Sequence, residues 1–149
     1  MIYFSNVNRK SGIDGRALKK TAKILLEQLH VAHASLSLSL VDDRRIRRLN
    51  RLHRGKDSAT DVLSFPLMER DDRCAERLLG DVVISLETAR RQARAYDAPL
   101  GDEVKRLLIH GILHVIGHDH ERKRERVRMQ AEERRLAAAL ALRWPYEGD

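Results

Sequence analysis

The segment between residues 102 and 116 constrains the fold of this chain most, because the helix it predicts has almost no polar side. Its apolar residues recur with i, i+3, i+4 spacing and further ones widen that surface: Val104, Leu107, Leu108, Ile112 and Val115, then Ile109, Leu113 and Ile116. A helix that is apolar nearly all round must be covered on several sides. The sequence therefore predicts a central, buried helix with the other elements packed around it.

Histidines interrupt this apolar surface. His110 and His114 are four residues apart, so both imidazoles lie on one face of the predicted helix. Gly117 stands where a left-handed C-terminal cap ends a helix, and the reversal can bring His120 back toward the pair. Three converging imidazole nitrogens suit one Zn²⁺ per chain, which keeps a fourth, open position in catalytic sites. We therefore predict His110, His114 and His120 as zinc ligands.

Each of these histidines alone could be an ordinary buried or surface residue. Four histidines among residues 110–120, out of seven in the chain, favour a metal site, because apolar helices seldom bury imidazoles without partners. Asp119 is either a hydrogen-bond acceptor that orients the ring of a ligand histidine or a turn residue, and the sequence leaves both interpretations open.

Length and composition limit the number of domains, the compartment and the kind of partner that this protein can have. We expect one domain over residues 1–149, and the single cysteine, Cys74, excludes an intramolecular disulfide and fits a reducing compartment. No apolar run is long enough to cross a membrane and the start MIYFSNVNRK is unlike a signal peptide, so we expect a cytoplasmic protein without membrane contact. The net charge of +7 indicates a polyanionic partner, although 4% aromatic residues give no sign of a base-stacking platform.

The remaining chain mixes predicted strands with predicted helices. Strands are expected at residues 2–8, 34–41 and 78–85 and before Pro66, and helices at 13–30, 44–55, between Ser85 and Pro99, and at 121–143. The last helix is expected to turn Val127, Met129, Leu136 and Leu140 toward the body. We predict an α/β (α+β) fold with a single mixed sheet of about four strands, about five helices and the metal-bearing helix at its centre. The sequence leaves open which strands pair parallel.

The helix at residues 44–55 carries six arginines around a narrow apolar stripe. Most of these arginines fit a solvated helix face. A phosphate-binding role is expected at the C-terminal end, for Arg51, Arg54 and the following Lys56. The polar loop after this helix is where a substrate-positioning group could lie.

The spacing H-x-x-x-H-x-x-G-x-x-H also occurs in zinc endopeptidases of the metzincin type. In those enzymes a glutamate general base follows the first histidine, whereas here Gly111 stands at that position. Without the carboxylate, peptide hydrolysis by that route is disfavoured. Cleavage of a phosphodiester can do without it, because the ion can ionise its own water and neutralise charge on the phosphate.

Three blocks in order within residues 49–120 carry a resemblance: RLHRGKDSATDVLSFP, LLGDVVIS and HGILHVIGHDH. They resemble the YbeY family of bacterial endoribonucleases of ribosomal RNA maturation, and Met129 and Glu132 suit the family's C-terminal part. The resemblance implies that the three histidines bind zinc and that Arg54 is the family's functionally essential, catalytic arginine. His118 stands where many members have an aromatic residue, and we do not expect it to be a ligand.

The same resemblance implies the biological role. It implies a zinc-dependent, single-strand-specific endoribonuclease that acts in small-subunit rRNA 3′-end processing and ribosome quality control, and that associates with the small ribosomal subunit and the Era GTPase. Two alternatives stay open: a zinc-stabilised rRNA-binding assembly factor without strong catalysis, and a metallopeptidase-like hydrolase. Structural zinc sites are usually four-coordinate and rich in cysteine, which favours the catalytic interpretation here.

Overall fold

The computed structural model describes residues 1–8, 10–67, 77–118 and 121–146. These residues contain four strands and five helices, in this order: β1 (Ile2–Asn6), α1 (Gly15–Gln28), β2 (Ala34–Val41), α2 (Asp43–Arg54), β3 (Val62–Pro66), β4 (Arg77–Ser85), α3 (Leu86–Ala95), α4 (Leu100–Val115) and α5 (Lys123–Ala139). The predicted α/β class and number of elements are confirmed for the described residues, while several ends differ from the predictions by a few residues. Among the described residues, no helix is long and apolar enough to span a membrane.

The four strands form one mixed sheet with the order β1-β2-β4-β3. Strands β1, β2 and β4 run parallel, and β3 is antiparallel to β4 at one edge of the sheet. β3 and β4 are consecutive in the chain and pair directly as a hairpin, whereas β2 and β4 are joined through α2 and β3 and can therefore run parallel. Strand β3 is thus an edge strand, and its side away from β4 can form the wall of a site.

Helix α4 occupies the centre of the molecule, as the sequence predicts. It packs on β3 and β4 of the sheet and on α1, α3 and α5. Its apolar residues are buried on several sides, together with the leucines of β2 that alternate with serines: Val104, Leu107, Leu108, Ile109, Ile112, Leu113 and Val115, with Leu36, Leu38 and Leu40. Burial of this helix from several directions explains why its sequence is apolar nearly all round.

Helix α2 packs against a second, smaller core. Its Ile46 packs with Val41, Leu63 and Val83. The residues next to them along the strands, such as Leu40 and Val82, belong to the main core. Because successive side chains of a strand point to opposite faces, α2 covers the face of the sheet opposite α4. The edge strand β3 therefore lies between the end of α2 and the C-terminal half of α4.

Helix α5 differs from the prediction in the face that it buries. Met129, Glu133, Leu136 and Ala137 are its buried residues, whereas Val127 is exposed, so the expectation for Val127 is wrong. Met129 and Val127 are two residues apart and lie on different faces of a helix. The helix that touches α4 therefore presents a carboxylate, Glu133, within an otherwise apolar stripe.

Candidate functional site

His110 and His114 converge at the C-terminal half of α4. Their Nε2 atoms are 3.1 Å apart, and their ring centroids are 4.6 Å apart with the planes at 73°. The prediction that one helix face carries both rings is confirmed. Two imidazole nitrogens that bind one tetrahedral Zn²⁺ lie about 3.3 Å apart, given Zn–N bonds of about 2.0–2.1 Å. The pair therefore fits two neighbouring corners of a zinc site, and the same spacing also suits an N–H···N hydrogen bond.

A buried carboxylate stands behind His110. Glu133 of α5 is only 8% exposed, and its Oε2 lies 3.7 Å from the Nδ1 atom of His110. Nδ1 and Nε2 are on opposite sides of an imidazole ring, so Glu133 faces the rear of the ring whose front faces His114. A carboxylate at Nδ1 favours the tautomer with its proton there, which leaves Nε2 unprotonated and able to bind a metal.

Helix α4 ends as the sequence predicts. Gly117 has φ +108°, its N–H donates to the carbonyl of His114, and the N–H of His118 donates to the carbonyl of Leu113 at 2.9 Å. This pair of hydrogen bonds is the Schellman arrangement, which needs a residue that tolerates a left-handed backbone. The chain turns immediately after His114, and His118 lines the same cleft as the histidine pair. The predicted third ligand, His120, and Asp119 lie outside the described residues.

The two histidines open into a cleft of about 670 Å³. Its walls come from the end of α2, the loop between α2 and β3, the outer edge of β3, and α4 with the chain that follows it. The polar residues that line it include Arg54, Lys56, Ser64, His110, His114 and His118. Within the part of the chain that the structure describes, no group of three or more His, Cys, Asp or Glu side chains has a metal-binding arrangement.

Arg54 lies at the last position of α2 and reaches the edge strand. Its Nη2 donates to the main-chain carbonyl of Ser64 at 2.8 Å, and its Cζ lies 5.9 Å from the centroid of the Phe65 ring. Gly55, with φ +69°, ends α2 immediately afterwards and turns the chain so that Lys56 also lines the cleft. Thus two of the three predicted phosphate-binding residues share the cleft with the histidine pair.

Arg51 does not line the cleft. It lies near Asp57 of the loop, which accepts hydrogen bonds from Arg47, the shorter of them at 2.9 Å. The Arg47 guanidinium, with a smaller contribution from Arg51, holds the pKa of the Asp57 carboxyl below its ordinary value of 3.8. The loop is fixed from inside by Asn50, which is buried and donates to the carbonyl of Ser58 at 2.9 Å. These contacts fix the loop on which Lys56 lies.

Gly111 allows α4 to approach the sheet closely. A Cβ atom at this position would lie 2.6 Å from Cγ1 of Val82 and 3.3 Å from Oγ of Ser64. The Ser64 hydroxyl donates to the carbonyl of Gly111 at 3.0 Å. The position at which metzincins carry their glutamate is therefore packed against β3 and β4, so the missing general base has a steric reason as well as a chemical one.

Comparison with known proteins agrees with these features. A sequence model described as endoribonuclease YbeY matches residues 3–141. The chain belongs to the endoribonuclease YbeY family. Among curated YbeY relatives, the Myxococcus xanthus protein is 55% identical over 122 residues, which cover 81% of this chain and 42% of that protein. The Anaeromyxobacter sp. strain Fw109-5 protein is 52% identical over 127 residues, 85% of this chain and 65% of that protein.

The Persephonella marina YbeY protein is 45% identical over 119 residues, which cover 78% of each chain. The chain spans less than two thirds of the length of the first two relatives. The solution structure of TM1509 from Thermotoga maritima is similar in fold, with a TM-score of 0.61, 25% sequence identity, and coverage of 95% of this chain and 92% of that one. The family predicted from the sequence is thereby confirmed.

Sequence reasoning missed the groups behind the histidines of this YbeY-family chain. Arg106 is 1% exposed and donates to Glu103, 0% exposed, at 3.1 Å. Tyr146 also donates to Glu103, and Nε of Arg106 donates to the carbonyl of Arg143 at 2.9 Å. Burial, together with the neighbouring Glu103, raises the pKa of the Tyr146 hydroxyl far above its usual range. This buried network ties the C-terminal segment to α4.

Glu133 could have been found from the sequence. It lies four residues after Met129 and three before Leu136, so it falls within the apolar stripe of α5. A carboxylate at such a position is seldom fully buried without a partner. The neighbouring Glu132, which the sequence analysis named only as suiting the family's C-terminal part, pairs with Arg135 at 2.7 Å.

Proposed function

We propose that this chain is a zinc-dependent endoribonuclease that cleaves single-stranded RNA during ribosomal RNA maturation. The observation that carries the proposal is the shared cleft: the histidine pair of α4 and Arg54 of α2 line one cavity across the edge strand β3. A site for a divalent cation beside an immobilised guanidinium suits a phosphodiester, because both groups can neutralise negative charge on phosphate oxygens. Membership of the endoribonuclease YbeY family supports the same activity.

The metal would be held by His110, His114 and His120. Bound there, a zinc ion would supply a Lewis acid and lower the pKa of a bound water. The 3.1 Å separation of the two Nε2 atoms supports this ligand set, and so does the carboxylate of Glu133 at the rear of His110. A carboxylate 3.7 Å from Nδ1 of His110 favours a proton on that nitrogen, which would leave Nε2 available to the metal.

Arg54 would bind the scissile phosphate. A guanidinium has five N–H donors, and the bond to the Ser64 carbonyl uses one of them while fixing the position of the group. The remaining donors form a planar fork that matches phosphate oxygens. Lys56 adds a second positive charge on the same wall and guides the RNA backbone into the cleft.

Membership of the family supports a wider role. We propose small-subunit rRNA 3′-end processing and ribosome quality control as the process, the small ribosomal subunit and the Era GTPase as partners, and the cytoplasm as the location. The net charge of +7 supports a partner rich in phosphate. Peptide hydrolysis receives no support, because Gly111 is packed against Val82 and Ser64 where the peptidases carry a glutamate.

The decisive experiment combines RNA cleavage with a measurement of folding. Purified protein is incubated with precursor rRNA and with an unstructured RNA, with and without a zinc chelator, while circular dichroism follows the fold. We expect cleavage that the chelator abolishes in a protein that stays folded. Unfolding in chelator would instead indicate a structural ion and the assembly-factor alternative, and casein cleavage would indicate a peptidase.

Two pairs of variants test the residues. Zinc content measured by elemental analysis is expected to fall in His114→Ala and to stay unchanged in His33→Ala, which removes an exposed histidine elsewhere. Arg54→Lys keeps the charge but loses the planar fork, so we expect a lower rate of RNA cleavage, whereas Arg48→Lys on the exposed side of α2 keeps the full rate. Unchanged zinc in His114→Ala contradicts the ligand assignment, and full activity of Arg54→Lys contradicts the phosphate clamp.

A further inference from the structure

Helix α1 carries a row of positive charges on its exposed side. Arg16, Lys19, Lys20 and Lys23 are all exposed, while the buried side of the helix packs into the main core. Lys19 and Lys20 each lie three or four residues from Arg16 on one side and from Lys23 on the other, so the four cations form one row of neighbours on the helix surface. The row extends over eight residues, or seven helical rises, which is roughly 10 Å along the axis and the length of about three phosphates on a nucleic-acid strand.

This row costs stability in the isolated protein. Like charges three or four residues apart on a helix repel, and no salt bridge joins these four side chains to any acidic group in the described part of the chain. Basic residues of other helices do have acidic partners: Arg47 pairs with Asp57 of the following loop. The charge on α1 is therefore left for a partner outside the chain.

A groove lies beside the row. Lys19, Lys20 and Lys23 line a groove of about 310 Å³, together with apolar residues that include Ile2 and Leu26. Cationic side chains beside an apolar floor suit a strand of nucleic acid, whose phosphates meet the charges while sugars contact the floor. An acidic protein surface would use the charges but has no regular phosphate spacing to match.

The row is separated from the cleft. Helix α1 packs on β1, and the sheet order β1-β2-β4-β3 places β1 and the cleft strand β3 at opposite edges. Three strand spacings of about 4.8 Å separate these edges by roughly 14 Å. An RNA that contacts both places must extend across the molecule, whereas a short oligonucleotide can fill the cleft alone.

We infer that the cationic face of α1, formed by Arg16, Lys19, Lys20 and Lys23, is a second RNA contact. It binds the phosphate backbone of a distant part of the same RNA whose single-stranded segment enters the cleft. The inference rests on the proposed function for the identity of the polyanion. It adds a binding surface that does not take part in the cleavage step.

The test uses two triple variants of the full chain. In the first, Lys19, Lys20 and Lys23 are changed to Gln; in the second, the exposed Arg124, Arg128 and Arg134 of α5 are changed to Gln. Both lower the net charge from +7 to 7 − 3 = +4, so they remove the same charge from different faces of the protein. Binding of a long, structured rRNA fragment is measured over a series of salt concentrations, and cleavage is measured on a short unstructured oligonucleotide.

We expect the α1 variant to bind the long RNA more weakly and to lose about 2 from the slope of log K against log salt, because each lost phosphate contact removes about 0.7–0.9. The α5 variant should show less than half of this change in slope. Both should cleave the short oligonucleotide at the wild-type rate, and the α1 variant should melt no lower than wild type. Equal losses in both variants, or slower oligonucleotide cleavage in the α1 variant alone, overturn the inference.

A further arm identifies the polyanion. Vesicles that contain anionic lipid are offered to wild type and to the α1 variant, and no difference between the two proteins is expected. A loss of vesicle binding with unchanged RNA binding assigns the surface to a membrane and overturns the inference. If wild type cleaves no RNA at all, the proposed nuclease function fails, while the salt series still decides whether α1 contacts RNA.

Discussion

Replacement of Gly111 by alanine tests how closely α4 must approach the sheet. The added Cβ would lie 2.6 Å from Cγ1 and 3.2 Å from Cγ2 of Val82, and 3.3 Å from Oγ of Ser64. Val82 is fully buried in β4, and the rotation of its β-branched side chain is restricted, so it has little room to turn away. Either the helix or the strand must therefore move.

The size of the effect follows from two opposing terms. Alanine favours a helix over glycine by about 1 kcal/mol. An added methyl group in a well-packed core costs about 1–3 kcal/mol, and a contact as short as 2.6 Å belongs at the upper end of that range. We expect Gly111→Ala to lower the free energy of unfolding by about 2 kcal/mol, which corresponds to a fall of about 4–8 °C in Tm for a chain of this size.

Gly101 in the first turn of the same helix provides the matched control. Nothing lies within 4 Å of a Cβ added there, so Gly101→Ala should be neutral or stabilise by up to about 1 kcal/mol. Urea unfolding followed by circular dichroism measures both variants against wild type. If Gly111→Ala proves as stable as Gly101→Ala, then α4 does not pack on β4 as described, and the steric argument against a glutamate at this position is lost.

Three further changes test the surroundings of the site. Glu133→Gln should weaken zinc binding by about 10- to 100-fold in a competition titration, because Gln no longer favours a proton on Nδ1 of His110; unchanged affinity contradicts the orienting role. Tyr146→Phe should lower the free energy of unfolding by about 1–3 kcal/mol, because it removes a hydrogen bond to the buried Glu103, and a fully stable variant would show that the contact is dispensable. Burial would raise the pKa of the Asp43 carboxyl, but hydrogen bonds from Ser85, Thr88 and Arg91 hold that pKa below 3.8. The stabilisation of the folded protein by ionised Asp43 is therefore present above about pH 4 and is lost as the pH falls through the lowered pKa. Asp43→Asn should flatten this acid-side loss of stability in urea unfolding at pH 2–5, and an unchanged pH profile contradicts it.

The parts of the site that the sequence predicted are those fixed by local geometry. Four residues of helix bring His110 and His114 to one face, and a glycine with φ +108° ends the helix three residues later. Neither feature depends on how the rest of the chain folds. The same is true of Gly55, which ends α2 and so places Arg54 beside the loop.

The parts that the sequence could not predict depend on contacts between distant elements. The burial of Glu133 could be found from its place in the apolar stripe of α5, but its contact with His110, 23 residues away in the chain, is created by the packing of α5 on α4. The antiparallel direction of β3 likewise depends on its hairpin pairing with β4. The alternation of side chains along a strand does not indicate the direction in which that strand pairs. The exposure of Val127 has the same origin, because α5 turns the stripe with Met129 and Glu133, and not Val127, toward α4.

One residue of β3 links the two halves of the cleft. The carbonyl of Ser64 accepts a hydrogen bond from Arg54 at 2.8 Å, and its hydroxyl donates to the carbonyl of Gly111 at 3.0 Å. Gly111 follows His110 directly, so the guanidinium and the histidine pair are both positioned from the same point of an edge strand. A strand held by its pairing with β4 is stiffer than a loop, and it therefore fixes the separation between the guanidinium and the histidine pair. This shared support explains how Arg54, from one face of the sheet, and the histidine pair, from the other, come to line one cleft.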